Sequence, residues 1–185
     1  MGCHTWFYRK LPIQPDYNTC KAQLLHKYNE NLVLYKRYLE GKNLDKQDKE
    51  LIKFYPDYYG NKDWLTNSIQ VLERLIRIVD KNLCKEAVMK RYRIDVPSTR
   101  YTLTFYHNGT FYVDFDENYN SINHDVFRVS NYPDTVLHSY EEYLEFVNNP
   151  LNGAYLQCKE DTWNKANKKM KEFWDKYPDG IVKFG

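Results

Sequence analysis

The sequence predicts an α+β fold, a single domain over residues 1–185 in which an antiparallel sheet is flanked by about four helices. Three observations carry that expectation. Apolar residues recur at helical spacing in several long stretches. Aromatic-rich runs flank His107-Asn108-Gly109, and Asn-Gly is a strong hairpin signal because both residues tolerate positive φ. Both ends of the chain, 3–10 and 181–184, have strand character.

Residues 3–10 alternate and are rich in aromatics, so they read as the first strand, ended by Pro12 and Pro15. From Asn18 to Glu40 the positions Leu24, Leu25, Tyr28, Leu32, Tyr35 and Leu39 form one helical face, and Gly41 closes the run. A short polar helix is expected over 44–54, followed by the tyrosine-rich turn Tyr55-Pro56-Asp57-Tyr58-Tyr59-Gly60. A second long helix is expected over 66–90, with Ile69, Leu72, Ile76, Val79, Leu83 and Ala87 as its buried stripe. Tyr101–Tyr106 and Thr110–Phe115 make the arms of the 101–115 hairpin. Residues 116–138 read as a long loop, broken by five residues of the Asn and Pro type, and long loops in small domains are often functional. Ser139 with Glu142 three residues on forms a capping box that opens a short helix. A last helix over 160–177 buries Trp163, Ala166, Met170, Phe173 and Trp174, and Pro178-Asp179-Gly180 stops it before the closing strand.

Composition narrows the function classes. The 27 basic and 25 acidic residues nearly balance, which argues against a surface dedicated to coating nucleic acid. Cys3, Cys20, Cys84 and Cys158 lie far apart, with no close pair to hold zinc, so a reduced, cytoplasmic setting and no metal or cofactor are expected. No stretch approaches the ~18 apolar residues of a membrane span. Trp6 stands where a myristoylation signal wants Ser or Thr. The glycine patterns of P-loop, dinucleotide-binding and α/β-hydrolase sites are absent from the sequence.

Three groups of residues could carry chemistry. Cys3 beside His4 brings a nucleophile and an imidazole together in sequence, but strand alternation sends them to opposite faces, so each needs a partner from elsewhere. Otherwise they are ordinary sheet residues. His124-Asp125, with Arg128 four residues on, offers a proton-transfer group, an orienting carboxylate and a fixed cation; its bland counterpart is a capped turn with a surface ion pair. Arg93 and Arg100, with Tyr106 and Trp6, supply the cations and rings that would grip a phosphate and stack a base, or else a solvated helix end. Eighteen tyrosines among 185 residues raise the expectation of a binding surface without choosing its partner.

Three segments taken together, Gly2-Cys3-His4-Thr5-Trp6-Phe7-Tyr8, His124-Asp125-Val126-Phe127-Arg128 with Tyr132-Pro133, and Phe173-Trp174 through Tyr177-Pro178-Asp179-Gly180, carry a resemblance. The chain resembles small uncharacterised proteins of gut-bacterial phages and their hosts. That resemblance implies a phage or prophage origin and transfers no activity and no catalytic residue. The functional expectation is a binding protein for a small anionic, nucleotide-like molecule, with sequestration or degradation of a host nucleotide signal as its use. The alternative is an inhibitor that docks on a host protein through a tyrosine-rich surface. Neither needs a membrane or a nucleic acid.

Overall fold

The structure, a computed structural model, describes residues 5–94, 104–114, 135–149 and 160–184. Its contacts group the chain into two compact units, one of residues 15–92 and one of residues 1–14 with 93–185. The helical stretch is therefore inserted, in sequence, between the first strand and the hairpin.

In the helical unit, α1 (Tyr17–Glu40) starts at Asp16, whose carboxylate accepts the Thr19 N–H at 2.7 Å. It ends at Gly41, whose φ of 66° is the left-handed geometry that glycine adopts without a Cβ clash. The short helix α2 (Lys46–Phe54) opens on a reciprocal capping box between Asp45 and Asp48. Helix α3 (Lys62–Asp80) is capped by Asn61 and packs along α1, burying Leu65, Ile69, Leu72 and Val79 beside Leu24 and Tyr28. The single helix expected over 66–90 is instead two, because α4 (Lys85–Lys90) is separate. Asn82 breaks the run with a φ of 55°. Its side-chain oxygen accepts from the Tyr17 hydroxyl at 2.9 Å and the Lys21 ammonium at 3.2 Å, so α1 holds the break in place. Leu83, expected in the buried stripe, is exposed as a result.

The other unit holds β1 (Thr5–Lys10), β2 (Thr104–His107), β3 (Thr110–Asp114), β4 (Thr135–Leu137) and β5 (Ile181–Phe184), with α5 (Tyr140–Asn148) and α6 (Glu160–Lys176). The five strands form one antiparallel sheet in the order β2-β3-β1-β5-β4. With six helices among the described residues, the α+β class is as the sequence predicts. Asn108 and Gly109 turn the β2–β3 hairpin with φ of 47° and 80°. β4 lies inside the stretch expected to be loop: three residues carry too little local signal, and pairing with β5 makes them a strand. Beyond β1, the Gln14 side chain continues the ladder, accepting the Phe111 N–H at 2.7 Å and donating to the Phe111 carbonyl at 3.0 Å.

Alternation gives the sheet two faces. Phe7, Leu137, Val182 and Phe184 meet Tyr143 and Val147 of α5 and Ala166, Met170, Phe173 and Trp174 of α6 in the main core. Phe7 packs edge-on against Phe173 at 5.1 Å, and the buried Tyr143 hydroxyl donates to Asn167 at 2.7 Å, joining α5 to α6. The opposite face carries a second, smaller cluster: Tyr8, Tyr112 and Ile181, with Trp6, Phe105 and Val136 packed against them.

Candidate functional site

Register places the residues of the second face. Trp6 pairs with Lys183, Lys183 with Val136, Tyr8 with Ile181, and Tyr112 with Phe105. Residues directly opposite each other in a ladder project to the same side. His107 follows two residues after Phe105, and His138 two after Val136, so both continue this face at the ends of β2 and β4.

In a flat sheet β2 and β4, four strand spacings apart, would lie roughly 19 Å from each other. Here the His107 and His138 rings are 5.4 Å apart and within 28° of parallel. The Lys183 ammonium lies 5.4 Å from the Phe105 ring, although β3 and β1 separate their strands. The sheet is therefore curled, with the second face on the inside of the curl and its two edge strands brought to a seam. Tyr8, Tyr112 and Ile181 are buried on the inside, while Trp6, Phe105, Val136, His107, His138 and Lys183 remain partly open.

A ladder of π-systems and one cation runs along that seam. The Lys183 ammonium sits 5.3 Å from the Trp6 ring and 5.4 Å from the Phe105 ring. Phe105 stacks on Tyr8 at 5.2 Å and on His107 at 5.7 Å, and His107 stacks on His138. Such cation–ring contacts are worth about 0.5–2 kcal/mol according to how far they are desolvated. Burial holds His107 below the usual histidine range, and the neighbouring His138 adds to the effect. Burial likewise raises the Tyr112 hydroxyl. The Glu142 carboxylate accepts the His138 backbone N–H at 2.7 Å, which fixes the start of α5 against the seam.

Of the residues singled out in the sequence, Trp6 lies on this inner face. Tyr106 projects to the other face of the sheet, its ring 4.7 Å from Phe111. The Arg93 guanidinium reaches Thr104, which shares that other face, at 3.5 Å. The structure thus separates Trp6 from Tyr106 and Arg93. Cys3, His4, Arg100, His124, Asp125 and Arg128 lie outside the described residues. Among the described residues no group of three or more His, Cys, Asp or Glu side chains could hold a metal ion, and no helix is long and apolar enough to cross a membrane.

Sequence reasoning missed Lys183, Phe105, His107 and His138 as neighbours. One signal was present: Lys183 is the lone charged residue in an otherwise apolar strand, a position that implies a partner on the sheet face. In the helical unit the tyrosine-rich turn forms its own cluster, with Tyr59 and Trp64 ring centroids 5.9 Å apart and Tyr58 5.4 Å from Trp64. Phe54, Tyr55 and Tyr58 remain exposed there, Phe54 at 77%.

Comparison with protein-family models, with curated proteins and with solved structures returns no match to this chain.

Proposed function

We propose that the protein binds a small anionic, nucleotide-like molecule at the seam of its curled sheet. One observation carries the reading: a cation, Lys183, within 5.4 Å of the rings of both Trp6 and Phe105, with the His107–His138 pair stacked beyond Phe105. A flat aromatic base matches the rings, and a phosphate matches the ammonium and the imidazoles. In the setting of a phage or its host, such a protein would act in counter-defence by withdrawing a nucleotide signal. A degradative variant would draw on Cys3 as nucleophile or on His124 as general acid or base, with Asp125 orienting it.

Native mass spectrometry with a mixed panel of mono-, di- and cyclic nucleotides tests this directly. Retention of an intact ligand by the wild type, lost in Lys183→Met at unchanged thermal stability, supports the seam. A new product mass makes the protein an enzyme. Equal retention by Lys183→Met removes the seam from the site.

A second reading rests on the exposed Phe54, Tyr55 and Tyr58 in one turn of the helical unit. Exposed aromatic residues at this density suit a protein partner. A Phe54→Ser/Tyr58→Ser variant that keeps its helicity yet loses a host protein captured by the wild type would favour it. Capture that survives the change would dismiss it.

A further inference from the structure

We propose that the His107–His138 pair is the anion subsite, and that a dianionic phosphate or sulfate group enters it together with a proton from solvent. This rests on the seam being the ligand site, and it adds which groups meet the anion and how pH governs them.

The argument starts from the curl. His107 and His138 come from opposite edges of the sheet and reach a ring separation of 5.4 Å only because the sheet curls. Two imidazoles stacked this closely tolerate one proton between them more easily than two, since like charges at short range oppose each other. Among the described residues, the groups near the pair carry both signs of charge. Lys183 on β5 adds positive charge beyond Phe105. Glu142 on α5 lies beside His138, its carboxylate accepting the His138 backbone N–H at 2.7 Å. Tyr8 on β1 and Tyr112 on β3 are buried, and burial raises the Tyr112 hydroxyl further from ionisation. Burial, with His138 beside it adding to the effect, holds His107 below the usual histidine range.

A dianion changes that balance. An oxyanion placed against both rings accepts an N–H from each and supplies the negative charge that a second proton requires. Binding the anion and taking up the proton then assist each other, as linkage demands. The chemical class is a group with two negative charges and tetrahedral oxygens, as a terminal phosphate monoester has near neutral pH. A neutral nucleoside would gain nothing from the pair.

Inorganic sulfate is the probe, because its charge does not change in the range where histidine titrates. The experiment is a 13C-edited proton NMR titration of the histidine rings in the wild-type protein, in sulfate and in chloride at equal ionic strength, with EDTA present. His107→Gln and His138→Gln serve to assign the signals. The expected result is that both titration midpoints rise in sulfate by about one unit, equivalent to about tenfold tighter binding to the protonated form. His26, exposed on α1, should not move. Midpoints identical in the two salts would overturn the proposal. Adding adenosine separates this failure from that of the seam itself. Adenosine shifting the Trp6 indole signal while sulfate leaves both histidines unmoved would sink only the anion subsite. Adenosine and the nucleotide panel both leaving Trp6 unmoved would count against the seam.

Discussion

Gly180→Ala should destabilise the sheet unit, and the reason is spatial rather than conformational. A Cβ built at Gly180 would meet the Phe173 ring at 2.6 Å (Cζ) and 2.9 Å (Cε1), and the Tyr177 carbonyl at 3.0 Å. Phe173 is fully buried between Phe7, Trp174 and Tyr177, so the ring has little freedom to withdraw. Overpacking of this kind costs about 1–3 kcal/mol. Against it stands the reduced entropy of the unfolded chain, about 0.4–1 kcal/mol in favour of alanine. The net expectation is a loss of about 1–2 kcal/mol. The strain also reaches the candidate site, because the Gly180 carbonyl accepts the Trp174 indole N–H at 3.0 Å and Gly180 leads directly into the strand that carries Lys183. Urea denaturation followed by tryptophan fluorescence measures the effect. A double-mutant cycle with Phe173→Leu, which removes the obstructing ring edge, supplies the decisive comparison. The two changes should couple favourably by about 1 kcal/mol, since residues in contact are not additive. An alanine variant as stable as the wild type, or strictly additive losses, would refute the steric argument.

Phe7→Ala, which empties a fully buried site between β5 and α6, should cost about 3–5 kcal/mol and lower the denaturation midpoint of the sheet unit. Tyr143→Phe should cost about 1 kcal/mol through the lost bond to Asn167, measured by the same titration. Asp48 is opposed by burial, but the Asp45 N–H, the Tyr38 hydroxyl at 3.0 Å and Arg37 at 2.8 Å outweigh it and hold the carboxyl below its ordinary range. Its stabilising effect is therefore present above the ordinary carboxylate range and lost as pH falls through the lowered value; Asp48→Asn should flatten that acid limb in a pH series of melting curves. Of the two described cysteines, Cys84 is exposed while Cys20 is buried, its thiol pushed up to about 11 by burial with the Asp16 charge adding. Iodoacetamide at neutral pH should label Cys84 well ahead of Cys20, read by peptide mass spectrometry; comparable rates would contradict the burial of Cys20.

Local chemistry made much of the architecture legible. Asn108-Gly109 turns a hairpin because its backbone needs positive φ at both positions, a property of two residues and nothing beyond them. Ser139 accepts the Glu142 N–H at 3.1 Å as its spacing foretold, although the Glu142 carboxylate reaches back to His138 rather than to Ser139. The apolar faces of α1, α3, α5 and α6 and the strand character of both chain ends are likewise written in periods of a few residues. Helix α4 escaped that logic because the apolar stripe runs on through Leu83, whereas Asn82, held by Tyr17 and Lys21 of α1, decides where the helix stops.

What only the tertiary structure decided is the order of the strands and the curl. β1 sits at the centre of the sheet because it pairs with β5, Thr5 opposite Phe184, across nearly the whole chain. No local pattern encodes a partner so distant, and a three-residue strand such as β4 exists only once β5 is in place to bond it. The alternation of β1 does assign Trp6 and Tyr8 to one face, but which cation, which rings and which histidines they meet depends on the closing of two edge strands. Side-chain direction is a property of the residue and its neighbours, whereas proximity across a sheet depends on every strand between.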